Sequence, residues 1–373
     1  MAINVAVVGF GMSATVFHIP FLLALGDRFH LHTIVERRAT ATSSKARDQF
    51  PSVNVVTSLD EALADDDVDA VWVLTTNDTH YDHVKLALER GKHVVVEKPV
   101  TPTSEQALEL ANLARQKNLV LAVYQNRRWD GDFLTIKSMI ERGTFGQLSE
   151  FQSNFDRFRN EAAVTKVWKE QPNPGSGLAY DLGSHLIDQI LSLFGPPSAV
   201  TGHLSNSRLI GNPSVPDSFR ILLHYPPSSS STSGGSRQLP LTAIAQSSSL
   251  SLVSPQQRFL VRGTEAAYVK HGLDPQEDAL KRLGKDAVRD DDETFGVEQD
   301  ATLHGTLFTA NGSEKVETLK GRYKTWFENV ADAISSNDPT RLIVTPEQAA
   351  LTIKVIELAI ESSRQGKTIS LSS

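Results

Sequence analysis

The sequence of 373 residues contains no cysteine. This absence excludes disulfides, thiolate metal sites and a cysteine nucleophile, and it is compatible with a reducing compartment. Long hydrophobic runs are also missing, since no apolar stretch reaches the roughly 18 residues that a membrane span requires. The N-terminal stretch MAINVAVVGFG has neither the basic region nor the cleavage site of a secretory signal. We therefore expect a soluble, cytoplasmic protein.

Positive charge is also scarce. The 37 Lys and Arg residues are outnumbered by 44 Asp and Glu residues, which gives a net charge of -7. No large basic block is present, so nucleic acid is not expected as the main partner. The histidines do not cluster at the spacing of metal ligands, and no metal is expected. A hydrophobic content of 40% over 373 residues exceeds what one core usually holds, and two domains are therefore expected.

Apolar β-branched runs alternate with helix-like segments in the first third of the chain. One such segment, DTHYDHVKLALERG (78–91), has apolar positions at helical spacing and a terminal glycine. Continuous apolar strands that alternate with helices indicate a parallel sheet covered on both faces. We therefore predict a doubly wound Rossmann α/β domain over residues 1–125. Its predicted strands are 3–9, 31–36, 54–57, 68–75, 92–97 and 119–125.

A glycine-rich turn, GFGMSA (9–14), directly follows the first predicted strand. Gly9 would permit the tight turn and Gly11 would let the backbone approach a pyrophosphate, which the amides of the next helix would face. Ala14 stands where a third glycine is usual. The strand before the turn and the helix after it favour dinucleotide binding over a simple turn.

The residue that contacts the adenosine ribose is expected at the end of the second strand. Glu36 lies there, and its carboxylate could hold the two ribose hydroxyls of NAD. Arg37 and Arg38 follow at once, and a guanidinium can bind the 2′-phosphate of NADP. NADP is therefore the preferred cofactor if Glu36 turns aside. NAD is the alternative, and the three residues could also be only a solvated loop.

The strict alternation of strands and helices stops near residue 125. Two helices are predicted at 131–146 and 345–366, separated by runs that alternate apolar and polar residues. These runs indicate an α+β domain over residues 126–373 with a large, mainly antiparallel open sheet. Its predicted strands are 148–158, 198–205, 217–225, 241–249, 257–263 and 301–310.

The stretch YDLGSH (180–185) opens a helix predicted over 182–194. Asp181 and His185 are four residues apart, so both side chains can project from one face of its first turn. A carboxylate beside an imidazole can keep it protonated or fix its tautomer, as proton transfer to a hydroxyl or carbonyl oxygen requires. The segment alone favours a simpler alternative, an N-cap aspartate followed by a structural histidine.

Four motifs in this order and spacing resemble the Gfo/Idh/MocA family of sugar and polyol oxidoreductases, and the resemblance covers essentially the whole chain. They are GFGMSA, TTNDTH (75–80), EKP (97–99) and YDLGSH. Three further stretches resemble the subgroup that includes NADP-dependent scyllo-inositol dehydrogenases: FHIPFL (17–22), NRRWDGDF (126–133) and GLDPQEDAL (272–280). The resemblance implies hydride transfer between the nicotinamide of NADP or NAD and a carbinol or carbonyl carbon of a sugar, inositol or related polyol.

The resemblance also implies a catalytic set of Lys98, Asp181 and His185. Lys98 would donate to the substrate oxygen and assist nicotinamide placement. His185 would be the general acid/base, and Asp181 would be its partner and a ligand for neighbouring hydroxyls. Glu97 would lie near the nicotinamide ribose or orient Lys98, and Pro99 would fix the turn, in the family often through a cis bond.

The resemblance further implies a set of cofactor-binding residues. Asn126 would contact the nicotinamide amide and Trp168 would cover the ring. The full set is Gly9, Phe10, Gly11, Met12, Ser13, Glu36, Arg37, Arg38, Thr75, Thr76, Asn77, His80, Glu97, Lys98, Asn126 and Trp168. The residues implied for the substrate, besides the catalytic three, are Tyr124, Arg128, Asp156 and Tyr180.

Family members commonly associate through the exposed face of the C-terminal sheet. The resemblance therefore implies a homodimer or homotetramer that acts on a small-molecule polyol or sugar, although the alternating face could equally pack on the family's helices alone. Two alternatives stay open: a non-catalytic NAD(P)-binding regulatory protein of the same fold, and an aldehyde or dihydrodiol oxidoreductase. The presence of all three catalytic residues favours an enzyme.

Overall fold

The computed structural model describes residues 2–162, 170–227, 239–288 and 293–371. The chain forms two compact units, each assembled from separate stretches of sequence. The first unit comprises Met1–Trp129, Pro275–Phe295 and Arg322–Ala350, and the second comprises Asp130–Asp274, Gly296–Gly321 and Leu351–Ser373. No helix within the described stretches is long and apolar enough to cross a membrane.

Six parallel strands form the sheet of the first unit within the described residues. Their spatial order is β3-β2-β1-β4-β5-β6, which is the order of a doubly wound dinucleotide-binding sheet. The predicted α/β fold class is confirmed. The strands are β1 Ile3–Val8, β2 Phe29–Val35, β3 Asn54–Val56, β4 Ala70–Val73, β5 His93–Val96 and β6 Leu121–Val123.

The central strands of this sheet are apolar because both of their faces are covered. Every residue of β4 is buried, including Trp72, and three of the four residues of β5 are buried. Strand order reverses beside β1, which pairs with β2 on one side and β4 on the other. In open α/β sheets, ligands bind outside the carboxyl ends of the strands at such a reversal. The segments after β1, β2, β4 and β5 therefore lie where a ligand of this fold binds.

Ten α-helices occur in the described residues. Four of them begin with a hydroxyl N-cap, in which Ser44, Ser58, Thr103 or Thr345 accepts a backbone N–H of the first turn. The helices are α1 Ile19–Ala24, α2 Lys45–Gln49, α3 Leu59–Leu63, α4 His80–Glu89, α5 Ser104–Gln116, α6 Gly131–Glu141, α7 Ser184–Phe194, α8 Gln276–Leu283, α9 Tyr323–Ser335 and α10 Pro346–Gln365.

Nine strands of the described chain form the sheet of the second unit, in the order β14-β13-β12-β11-β7-β10-β9-β8-β15. All neighbours are antiparallel except β7 and β10, which pair in parallel. The predicted large, mainly antiparallel sheet is confirmed. The strands are β7 Leu148–Asn154, β8 Ala199–Ser205, β9 Ser218–Tyr225, β10 Leu241–Ser248, β11 Gln257–Gly263, β12 Ala266–His271, β13 Gly305–Thr309, β14 Gly312–Val316 and β15 Ile369–Ser370.

The structure differs from the prediction where the sequence pattern is weak. The strand predicted over 301–310 is shorter, because Ala301–Leu303 forms a 3-10 turn before β13. Strand β14 was not predicted, since its residues are exposed or half-buried and show no apolar alternation. Strand β12 and helix α9 were missed as well.

Candidate functional site

The turn after β1 depends on glycine at its first position. Gly9 has a φ of +98°, and a Cβ atom there would lie 2.9 Å from the carbonyl oxygen of Leu74. Gly11 is exposed, and a Cβ at this position would meet nothing within 4 Å. Phe10 packs edge-on against Phe50 at a centroid distance of 6.1 Å. Beside Gly11 the backbone is thus open to a ligand, as a pyrophosphate site requires.

The helical segment after this turn starts with π-helical geometry rather than as a regular α-helix. Ser13–His18 is π-helical, and α1 continues from Ile19. Met12, just before it, is 45% exposed. Such widened turns are rare in proteins, and those that occur often lie at functional sites.

Glu97 lies directly after β5, and its carboxylate accepts three hydrogen bonds. Oε1 accepts the Ser13 hydroxyl at 2.5 Å and lies 3.0 Å from His18 Nε2, and Oε2 accepts the backbone N–H of Lys98 at 3.0 Å. Burial alone would raise the pKa of Glu97. The hydrogen bond and charge of His18, the charge of Lys98 and the Ser13 hydroxyl outweigh burial and lower the pKa to about 2.

Lys98 is half-buried at the carboxyl end of β5, and its peptide bond to Pro99 is cis, as the resemblance implied. The carbonyl of Pro99 accepts a hydrogen bond from Nδ1 of His80 at 2.8 Å. The other ring nitrogen of His80 lies 3.3 Å from the Thr75 carbonyl. Burial lowers the pKa of His80, and the shorter contact, to the Pro99 carbonyl, places a proton on Nδ1. His80 therefore links the segments after β4 and β5.

The remaining residues of the TTNDTH motif form a hydrogen-bonded turn. Thr79 donates its hydroxyl to Thr75 Oγ1 at 2.7 Å and its backbone N–H to the Thr76 carbonyl at 2.9 Å. Asn77 begins the 3-10 turn that precedes α4. The turn is built from local bonds at the carboxyl end of β4, and its contact with a cofactor stays a prediction.

Glu36 is turned toward the start of α2. Its Oε2 accepts the Ser44 hydroxyl at 2.7 Å and the Ala46 N–H at 3.1 Å, and its Oε1 accepts the Lys45 N–H at 3.2 Å. Burial would raise the pKa of Glu36, but these hydrogen bonds outweigh it and lower the pKa. Arg37 and Arg38 are exposed.

The residues after β6 are buried within the first unit. The Tyr124 hydroxyl donates to the Phe17 carbonyl at 3.1 Å, and Arg128 donates to the Ile343 carbonyl and to Gln348 at 3.3 and 2.9 Å. Asn126 opens a buried 3-10 turn. These contacts give Tyr124 and Arg128 a structural role, and their assignment to the substrate stays a prediction. Trp168 lies outside the described residues.

In the second unit, Asp181 lies in another π-helical segment, Ala179–Gly183, which leads into α7. The segment starts after Leu178, so Asp181 is not an N-cap as the simpler alternative required. His185 lies in the first turn of α7 and is 6% exposed. Both sequence candidates therefore flank the junction between the π-helical segment and α7.

Two other residues predicted to contact substrate also lie in the second unit. Burial, followed by the charge of Glu357, raises the pKa of Tyr180 to about 12, so its hydroxyl keeps its proton at neutral pH. Burial also raises the pKa of Asp156, whose Oδ1 accepts the Ser248 N–H at 2.8 Å. In the described parts of the chain, no three His, Asp or Glu side chains group as metal ligands would.

Comparison with known proteins agrees with this geometry. A family model described as "Oxidoreductase family, NAD-binding Rossmann fold" matches residues 3–125, and the companion "C-terminal alpha/beta domain" of the same family matches residues 137–371. The chain belongs to the Gfo/Idh/MocA family of oxidoreductases.

Individual relatives align over nearly the full chain. An uncharacterized oxidoreductase from Schizosaccharomyces pombe is 44% identical and covers 99% of both chains. The scyllo-inositol 2-dehydrogenase (NADP(+)) IolW from Bacillus subtilis is 35% identical over 99% of this chain and 96% of its own. The solved structure of an oxidoreductase from Bacillus cereus superimposes with a TM-score of 0.82 at 30% identity, covering 100% of this chain and 99% of its own.

In this Gfo/Idh/MocA protein, a buried cation anchors the helix that carries His185. Arg258 on β11 is fully buried and donates to Gln189 Oε1 at 2.9 Å and to Ser153 Oγ at 2.8 Å. Its guanidinium lies 3.7 Å from Asp130 and 3.4 Å from Asp132. Gln189 is one turn beyond His185 on α7, so this network fixes the position of the helix.

Sequence reasoning missed both His18 and Arg258. His18 lies 79 residues before Glu97, and no sequence motif around either residue indicates that the two are in contact. The signal available was FHIPFL, which marked a subgroup but gave no partner. Arg258 falls in a strand whose alternation predicts a core position, where an arginine is unusual.

Proposed function

We propose that the protein transfers a hydride between nicotinamide and a carbinol or carbonyl carbon of a sugar, inositol or related polyol. The observation that carries the proposal is Lys98 at the carboxyl end of β5, with its backbone held by the fixed carboxylate of Glu97. An ammonium at this edge of a doubly wound sheet is placed for a ligand rather than for the core. The name of the Bacillus subtilis relative, an inositol dehydrogenase, supports the substrate class.

The residues present fit a dinucleotide. Gly9 makes a turn that no side chain would tolerate, and Gly11 leaves open space above the backbone. When bound, the nicotinamide supplies the carbon that accepts or donates the hydride. Gly9, Gly11 and Ser13 would hold the pyrophosphate side, and the loop after β4 would line the ribose.

The side chains would manage the charge and the proton at the reacting oxygen. In oxidation, the imidazole of His185 takes the hydroxyl proton as the carbonyl forms, and in reduction it returns that proton. Lys98 Nζ donates a hydrogen bond to the same oxygen and stabilises its negative character in the transition state. Asp181 keeps His185 oriented and binds neighbouring substrate hydroxyls.

We infer a preference for NADP from the direction of Glu36. Its carboxylate oxygens are taken by Ser44 and by the amides of Lys45 and Ala46. A carboxylate in this state is not directed at the ribose hydroxyls, so the feature that favours NAD is weakened. Arg37 and Arg38 remain exposed, and their guanidinium groups can bind a 2′-phosphate.

The assembly is proposed to be a homodimer or homotetramer formed through the open face of the second sheet. Leu222 on β9 and Ile244 on β10 are directly opposite each other on this face and are only half-buried. An apolar cross-strand pair at the surface fits an interface between copies. Light scattering after size exclusion tests this, and a monomer that is unchanged by Leu222→Asp would contradict it.

The function is tested by screening the purified protein against inositols, aldoses, ketoses and anhydrosugars with both cofactors. Reduced nicotinamide absorbance should change with at least one polyol or sugar. Lys98→Ala and His185→Ala should each lower turnover, the latter by about 10²- to 10⁴-fold, while NADPH binding measured by fluorescence persists. Lys85→Ala, which removes a half-buried lysine paired with Glu109, serves as the control.

Two outcomes would overturn the proposal, and a third would overturn the role given to Lys98. Cofactor binding without turnover of any polyol, sugar or carbonyl compound would support the regulatory alternative. Turnover restricted to aldehydes or dihydrodiols would assign the other enzyme class. Near-normal hydride transfer by Lys98→Ala with cofactor bound would remove Lys98 from the chemistry.

A further inference from the structure

One carboxylate oxygen of Glu97 contacts two hydrogen-bond donors that belong to the same short helical segment. Oε1 lies 2.5 Å from the Ser13 hydroxyl and 3.0 Å from Nε2 of His18. Because the pKa of Glu97 is lowered to about 2, the carboxylate is ionised at neutral pH and can only accept hydrogen bonds. Nε2 of His18 must therefore carry a proton in this contact.

The π-helical geometry makes the double contact possible. In a regular α-helix of 3.6 residues per turn, residues five apart point in directions that differ by about 140°. A π-helix closes its bonds between residues five apart, so such residues lie nearly above one another. Ser13 and His18 are five apart and bound the π-helical segment. The widened turn thus places both donors at the same oxygen.

His18 is enclosed by aromatic rings that fix its orientation. Its side chain is fully buried, with ring centroids of Tyr124 and Phe327 at 4.2 and 5.8 Å and that of Trp326 at 6.5 Å. Because rings pack against it on several sides, the imidazole cannot rotate freely and its N–H points in one direction. The Glu97 side chain is 12% exposed, so its hydrogen bonds are shielded from competing water.

We propose that His18 is a positioning residue that, together with Ser13, fixes the Glu97 carboxylate and through it the main chain of Lys98. The other oxygen of Glu97 accepts the backbone N–H of Lys98 at 3.0 Å, so the orientation of Glu97 is coupled to the position of the Lys98 backbone. The inference rests on the proposed function for its kinetic consequence, but its structural part does not depend on the substrate.

The structural part is tested on the cofactor-free protein by ¹⁵N NMR of the histidine rings. Nε2 of His18 should carry the ring proton that faces Glu97, and Glu97→Gln should shift the His18 signals. A proton on Nδ1 with Nε2 unprotonated, or signals that are unaffected by Glu97→Gln, would overturn the proposal.

The kinetic part uses two substitutions of different chemistry. His18→Phe keeps an aromatic ring but removes the donor, and it should lower kcat by about 10- to 100-fold through misplacement of Lys98, with little change in KM or NADPH affinity. His18→Gln places an amide N–H where Nε2 lies and should restore most of kcat. His32→Phe is the matched control, because His32 pairs with Asp65 instead of Glu97.

The outcomes separate this inference from the proposed function. Normal kcat in His18→Phe, or equal losses in the Phe and Gln variants, would overturn the positioning role while leaving the enzyme assignment intact. If no substrate is turned over, the NMR result still decides whether His18 holds Glu97. Thermal unfolding of each variant shows whether a loss reflects unfolding.

Discussion

The hydroxyl of Ser44 donates to Oε2 of Glu36 at 2.7 Å while its oxygen accepts the backbone N–H of Arg47. Ser44 thus caps α2 and at the same time holds the carboxylate that follows β2. Glu36, the residue expected to bind the ribose hydroxyls, is thereby hydrogen-bonded to the N-terminus of α2. This arrangement leads to two predictions on cofactor choice.

Replacing Arg37 and Arg38 together by alanine should weaken NADPH binding far more than NADH binding. Only NADPH carries a 2′-phosphate that a guanidinium can bind with charge assistance. Dissociation constants from fluorescence titration measure the effect, with Arg115→Ala as the control, since Arg115 is 64% exposed and pairs with Glu347. Parallel losses for both cofactors would show that the two arginines do not read the phosphate.

Ser44→Ala should move the cofactor preference toward NAD. The substitution removes one of the three bonds that hold Glu36 and frees its carboxylate to turn toward a ribose. It should also destabilise α2 by about 0.5–2 kcal/mol, as loss of an N-cap does. Ser58 caps α3 in the same way without contacting Glu36, so Ser58→Ala controls for the stability loss. An unchanged ratio of NADPH to NADH affinity would contradict this view of Glu36.

The lowered pKa of Glu97 predicts a specific loss of stability in acid. A carboxyl whose folded pKa is about 2, below its usual value of 4.5, stabilises the fold above pH 4.5. That contribution is lost as the pH falls from 4.5 toward 2, because the unfolded chain then binds the proton more readily. Urea unfolding at several pH values should show a shallower acid loss in Glu97→Gln. Equal pH dependence in both proteins would mean that Glu97 is not held as described.

Arg258→Met should strongly destabilise the second unit. It leaves the buried carboxylates of Asp130 and Asp132 without their cation, and breaking a buried pair costs about 3–5 kcal/mol. Arg262→Met on the same strand removes an exposed pair with Glu150 and should cost at most about 1 kcal/mol. Urea unfolding measures both variants. Similar small losses would show that the Arg258 network does not anchor the unit.

Much of the fold was predictable because it follows from local periodicity. The apolar runs that become β1, β4, β5 and β6 are largely buried on both faces, and the alternating runs that become β9 and β10 are covered on one face. Gly9 was predictable for the same kind of reason, since a strand that turns directly into a helix needs a backbone conformation that glycine tolerates. The family resemblance in turn rests on short motifs in order.

Only the tertiary structure determined which side chains form hydrogen bonds and ion pairs with one another. Glu97 has its donors at positions 13, 18 and 98, and Arg258 has its partners at 130, 132, 153 and 189. No periodicity connects positions so distant along the chain, because hydrogen bonds form wherever packing brings donor and acceptor together. The π-helical turns at Ser13–His18 and Ala179–Gly183 were equally hidden, since their sequences are compatible with an α-helix. The local sequence pattern thus determined the helices and strands. Only tertiary packing determined which side chains of the candidate site lie within hydrogen-bond distance of one another.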